Sequence, residues 1–293
     1  MRSPGRAISA IHLPQWRAFP TSDLRFARST DGGRTFEPAI YVNDDAGAAV
    51  TSHTFHDMVV GPDGTGYVSW IDGRRGLDDP DIRVAASRDG GISFGAGTIV
   101  DEGVCPCCRT AIAAGPDGTV YAAWRKHFAG GVRDVVVARS TDGGLSFGEP
   151  VPVADDGWVF PGCPHAGPAL AVAPSGTLHV GWYTGKDGAA GLFLATSDDG
   201  GMTFGAPTTL LEGDWVPPSQ LTLAADEHGE VWVAWEDRRV VEPGFHLTSV
   251  ARATEPGPLS SGVYPSLAAA AGDLGVAWLE GGTVKLRVRG LAP

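Results

Sequence analysis

The sequence predicts an all-β fold of repeated four-stranded units, and three observations carry that prediction. The octapeptide pattern S-x-D-x-G-x-x-F occurs four times, as STDGGRTF (Ser29 to Phe36), SRDGGISF (Ser87 to Phe94), STDGGLSF (Ser140 to Phe147) and SDDGGMTF (Ser197 to Phe204). Its aspartates, Asp31, Asp89, Asp142 and Asp199, follow one another at 58, 53 and 57 residues. A second pattern runs in phase with the first: GPDGTGYVSW, GPDGTVYAAW, APSGTLHVGW, DEHGEVWVAW and AGDLGVAW end at Trp70, Trp124, Trp182, Trp235 and Trp278. Third, 42 glycines and 22 prolines in 293 residues suit a chain of many turns better than a helical one.

Each period reads, in order, as four short strands. An apolar run such as AIAAGPDG comes first, then a turn and a strand ending in Trp. A polar connection follows, then a strand such as VVVARS, the DGG turn, and a strand opening with Phe. Alternation within the runs and Gly/Asp turns between them are the signature of antiparallel sheet. Four strands per period of about 40 to 60 residues, repeated radially, describe a β-propeller. The count predicts six four-stranded antiparallel blades in one domain spanning residues 1–293.

Both ends of that count are incomplete. SPGRAISAI aligns with APSGTLHVGW, so blade one lacks its first strand. Either the C-terminal segment completes that blade or the protein extends upstream. Blade five, from about Ser219 to Pro256, has RATEPG where the octapeptide would stand. Blade six, from Tyr264, has three recognisable strands in PSLAAAA, LGVAWLE and TVKLRVR.

Composition excludes several function classes. A formal charge of -12 without a Lys/Arg-rich run argues against nucleic acid as a partner. Nothing approaches 18 consecutive apolar residues, so no membrane span is expected. The start, MRSPGRAISAIHLP, has too short an apolar stretch for a secretory signal. Four cysteines are too few for a disulfide scaffold and do not fix the redox compartment.

Propeller topology predicts where chemistry gathers. Connections from strand one to two and from three to four share one face. Connections from two to three, and from blade to blade, share the other. The interblade loops entering blades two to six are SHTFHD, CPCCRT, GCPHAG, PPSQ and GVYP. They bring Cys105, Cys107, Cys108, Cys163, His53, His56, His165, Arg109 and Tyr264 toward one mouth of the central channel. Loops after the Trp strands add Arg74, Arg75, Arg125, His127, Lys186, Glu236, Asp237, Arg238 and Arg239 as a rim.

Thiolates of Cys105, Cys107, Cys108 and Cys163 with imidazoles of His165 and His56 suit copper or zinc as a cofactor. Reactive thiols, or disulfides tying two loops together, are the alternatives. If the site is catalytic, a metal-held water or a redox step at copper is the expected chemistry, with Arg109 orienting an anionic substrate.

The octapeptide resembles the Asp-box (BNR) repeat of sialidase-like propellers, over essentially the whole chain. The resemblance implies a sialidase-like six-bladed propeller, a structural role for Asp31, Asp89, Asp142 and Asp199, and an exported (periplasmic or extracellular) protein. A sialidase needs an arginine cluster, a Tyr–Glu nucleophilic pair and an Asp acid/base. The matching candidates here are Arg74, Arg109, Arg125 and Arg238, with Tyr264, Glu236 and Asp57. The family's Arg-Ile-Pro motif is absent. The Cys-x-Cys-Cys plus Gly-Cys-Pro combination is similar to that of a subset of such propellers, which implies a shared site without naming an activity. A non-catalytic platform for a small molecule, glycan or protein is the third reading.

Overall fold

The computed structural model describes residues 10–11, 22–48, 52–76, 78–253, 257 and 259–291. Among them the chain forms six antiparallel sheets in succession, the blades of a six-bladed β-propeller. Blade two comprises His53–Val60, Gly66–Asp72, Asp81–Ser87 and Thr98–Glu102. Blade three comprises Ala111–Ala114, Val120–Arg125, Val135–Ser140 and Val151–Pro152. Blade four comprises Ala169–Val172, Leu178–Thr184, Ala190–Ser197 and Thr208–Gly213. Blade five comprises Leu221–Ala225, Val231–Asp237, Gly244–Ser249 and Ser260–Ser261. Three strands are described in blade one (Ala10–Ile11, Arg25–Phe26, Ile40–Tyr41) and in blade six (Val263–Ala270, Asp273–Glu280, Thr283–Gly290). First strands of successive blades, from two to six, lie against one another and so surround the axis.

Two details bear on the sequence reading. Blade five has a fourth strand, Ser260–Ser261, paired with Gly244 and Phe245. No octapeptide precedes it; a short 3-10 turn, Val250–Arg252, follows the third strand instead. Residues 254–256 of RATEPG, and residues 3–9 of SPGRAISAI, lie outside the described residues. In blade two, His53 to Asp57 belong to the first strand itself, bulged between Thr54 and Asp57, rather than to a loop before it.

The four octapeptides form one turn repeated. In each, the aspartate joins strand three to strand four and folds its own backbone around itself. Asp142 accepts the Ser140 hydroxyl (2.7 Å), the Leu145 and Ser146 N–H groups (both 3.0 Å) and the Ser146 hydroxyl (2.6 Å). Asp31, Asp89 and Asp199 make the same bonds. The hydroxyl four residues on is the largest cause holding each carboxyl well below the usual carboxylate range. Both glycines of every DGG sit at φ between 73 and 84°, where a side chain would be strained. Arginines then stitch the turns together: Arg28 donates to Gly90 O, Arg88 to Gly143 O and Arg139 to Gly200 O, each in the next blade.

The repeated tryptophans fill the space between blades. Trp70, Trp124, Trp182 and Trp235 are fully buried, each at the end of a second strand. Trp278, at the equivalent place in blade six, is only part-buried. Burying an indole this large makes each tryptophan a main contributor to blade packing.

Candidate functional site

The face opposite the DGG turns is built from connections that differ in every blade. Val104 and Cys105 continue blade two toward blade three by pairing with the end of its second strand: Val104 bridges Lys126, and Cys105 N–H donates to Arg125 O (2.9 Å). Thr110 closes the loop, its N–H and hydroxyl both donating to Phe55 O (2.9 and 3.0 Å). Phe55 occupies the blade-two bulge at φ 55°, and its ring packs on the cysteines. A non-glycine residue held in this region stores strain, which such sites tolerate when the surroundings dictate it. His165 (φ 53°) and Tyr264 (φ 54°), entering blades four and six, are held the same way.

These loops bring the sulfurs together. Cys105 Sγ lies 3.3 Å from Cys108 Sγ and 3.6 Å from Cys107 Sγ, and all three are buried. Cys163 is exposed. Two triads of donor atoms converge, each within 4.8 Å: Cys105, Cys107 and Cys108, and Cys107, Cys163 and His165. Cys107 belongs to both. The two loops can meet because Gly167 has no side chain: a Cβ there would stand 2.0 Å from Arg109 O. Gln220, from the loop entering blade five, donates to His165 O (2.5 Å) and holds the outer triad in place.

The surroundings are cationic. Arg133, buried, donates to Cys105 Sγ at 3.3 Å. Arg125 is 1% exposed and donates to Ala166 O, Arg133 O and Tyr183 O, with its guanidinium 5.0 Å from the Trp158 ring. Among the described residues, neither guanidinium has a carboxylate within 4.0 Å. Contact with Cys107, then Cys108, and the charge of Arg133 hold the Cys105 thiol well below the ordinary thiol range. The Cys107 thiol is raised by contact with Cys105, then with Cys108, and by burial; the Cys108 thiol is raised by contact with Cys105 and by burial, against contact with Cys107, which lowers it.

The residues marked for glycosidase chemistry fall into two groups. Glu236, fully buried, accepts Tyr264 N–H (2.5 Å), Gln220 N–H (3.2 Å) and Arg238 Nε (2.6 Å). The Tyr264 ring is exposed, with the Arg238 guanidinium 5.4 Å away. Asp57, half-buried, accepts Ile112 N–H (3.0 Å); desolvation raises its carboxyl above the usual range against the pull of Arg109, which is exposed. Glu236 thus holds the backbone of Tyr264.

His56 is part-buried on the blade-two strand and stands outside both triads. His53 is wholly buried at the blade one–two junction, its Nε2 3.0 Å from Asp45 and 3.3 Å from Asp72. Of the rim residues, Arg74, Arg75, Lys186 and Arg239 are paired with nearby carboxylates. Arg125 is the exception to the expected rim, since carbonyl groups draw it into the interior. Sequence reasoning missed Arg133, Phe55, Gln220 and the close approach at Gly167. Phe55, Gln220 and Gly167 lie inside loops already singled out, SHTFHD, PPSQ and GCPHAG, whereas Arg133 left no signal.

No family model and no curated protein matches this chain. Solved structures do. A protein of unknown function from Dyadobacter fermentans superposes with a TM-score of 0.64 at 18% identity, over 92% of this chain and 84% of that one. The Hadza microbial sialidase Hz136 gives 0.62 at 15% identity, over 92% and 60%. The α-L-arabinanase of Penicillium chrysogenum, solved with arabinobiose, gives 0.58 at 15% identity, over 93% and 86%. The chain therefore spans about three fifths of that sialidase. At these identities the likeness carries the propeller fold and leaves the chemistry to the residues of the site.

Proposed function

We propose that this chain is an exported Asp-box propeller, sialidase-like in fold, whose channel mouth holds a transition-metal ion, copper or zinc. The ligands are the thiolates of Cys105, Cys107, Cys108 and Cys163 and the imidazole of His165. The observation that carries this reading is the convergence of five donors from two separate interblade loops, beside two buried guanidiniums that have no carboxylate within 4.0 Å among the described residues. A buried cation without an anionic partner costs several kcal/mol, and metal-bound thiolates supply that partner. The sulfurs stand at 3.3 and 3.6 Å, well beyond the ~2.05 Å of a disulfide. The test is elemental analysis with a thiol count on protein purified without reductant. Bound copper or zinc is expected, with thiols that alkylate only after chelation. Absence of metal together with thiols recovered only on reduction overturns the reading in favour of disulfides.

A second reading, a glycoside hydrolase, is supported by the sialidase and arabinanase neighbours. It assigns Tyr264 and Glu236 as the nucleophilic pair, Asp57 as acid/base and Arg109 to an anionic substrate group. Fluorogenic sialoside and arabinofuranoside substrates test it. Turnover that disappears in Tyr264→Phe establishes it, and no turnover with either retires it.

A further inference from the structure

The five donors do not converge as one tetrahedral set. They form two triads, Cys105/Cys107/Cys108 and Cys107/Cys163/His165, with one sulfur in common. A three-coordinate ion with metal–sulfur bonds of ~2.3 Å sets its ligand atoms about 4.0 Å apart. Each triad, within 4.8 Å, is close to that size. The observed 3.3 and 3.6 Å separations need only small adjustment. A thiolate has lone pairs enough for two metal ions, so the shared sulfur can bridge.

From this geometry we infer that the site takes two copper(I) ions, bridged by the Cys107 thiolate. One is held in the buried triad and one in the exposed triad. This rests on the metal-site reading above and sharpens it.

Charge favours copper(I) over a divalent ion. Three thiolates and one copper(I) carry -2, which the guanidiniums of Arg125 and Arg133 balance. Adding the second copper(I) with the Cys163 thiolate changes nothing, and the thiol protons leave to solvent. Two zinc(II) ions in the same places with four thiolates are neutral, which leaves the +2 of the two buried guanidiniums unbalanced, and a dry interior disfavours that. Among the described residues no carboxylate lies within 4.0 Å of either guanidinium, and the nearest buried one to act on Arg125, Asp134, is already engaged by the Gly157 and Trp158 N–H groups. Soft, low-coordinate thiolate sites select copper(I) on ligand chemistry as well.

The two positions differ in access. Cys163 and His165 are exposed, whereas Cys105 and Cys108 are buried, so a chelator reaches the outer ion first.

The experiment is anaerobic titration of the full chain with copper(I) against a chromogenic chelator, followed by copper X-ray absorption of the loaded protein. Two equivalents per chain, a copper–copper scattering peak and two-phase extraction by chelator are expected. The double variant Cys163→Ser/His165→Ala, altered only at exposed residues, is expected to hold one equivalent. Cys107→Ser is expected to lose both at a chelator strength the wild type withstands. A single equivalent at saturation overturns the two-ion inference and leaves the metal-site reading intact. Two equivalents without copper–copper scattering overturn the bridge. No copper retained overturns the two-ion inference together with the copper form of the metal-site reading, and none of the spectroscopy on the wild type depends on a variant folding.

Discussion

The two faces of the propeller are made from connections of the same chain and solve different problems. On the DGG face four turns repeat one hydrogen-bond pattern, and each aspartate is satisfied within its own eight residues. On the opposite face no two connections are alike. There Phe55, His165 and Tyr264 adopt left-handed backbone, two buried arginines have no carboxylate within 4.0 Å among the described residues, and the free sulfurs gather. The repeat is thus the scaffold, and the candidate site lies where the repeat breaks. A residue that recurs in every blade answers a packing need common to all, whereas one that occurs once answers a local demand.

Perturbing each face separates these roles. Trp124→Ala, in the packing shared by both, is expected to cost about 3–5 kcal/mol of stability, read by denaturant unfolding. Gly167→Ala is expected to cost about 1–3 kcal/mol, because the new Cβ meets the Arg109 backbone. It should also abolish metal retention by separating the two loops, and undiminished copper or zinc in the purified variant breaks the comparison. Arg133→Met removes the cation beside Cys105. The expected result in metal-free protein is an upward shift in the pH at which Cys105 begins to alkylate, with the fold retained. Asp142→Asn, on the DGG face, is expected to lower the melting temperature and to leave metal content unchanged.

The smallest effect concerns pH. Burial opposes charge on His53, but the Asp72 carboxylate, the Ser22 carbonyl and Asp45 outweigh it and raise the imidazole above its ordinary value of 6.5. The stabilisation from His53 is therefore complete below about pH 6.5 and is lost as pH rises through the folded value. Its partner Asp72 is desolvated yet held below its ordinary 3.8 by His53 and Arg74. The Asp72 contribution is present above pH 3.8 and is lost as pH falls toward the folded value. Melting temperatures from pH 3 to 9 for wild type and His53→Gln should diverge most near pH 6 and converge toward alkaline pH. Parallel curves sink the assignment.

Much of this was legible in the residues. The octapeptides and the tryptophans specify blades because turn chemistry and strand alternation act over fewer than ten residues. The phase of the two motifs assigns the four cysteines to interblade connections on one face. Other features were not legible. Every position of Val120–Arg125 is buried, so alternation carries no sign that Arg125 turns inward. Arg133 reads as an ordinary loop residue until its distance to Cys105 is known.

The sequence by itself determined the all-β class, the six-blade count and the face on which the sulfurs lie, since each follows from local period. Only the tertiary structure decided that the sulfurs form two triads sharing Cys107, that Gly167 lets their loops touch, and that Arg125 and Arg133 stand beside them with no carboxylate within 4.0 Å among the described residues. Those facts depend on contacts between residues from 28 to 58 positions apart, and no local pattern encodes a distance between two loops.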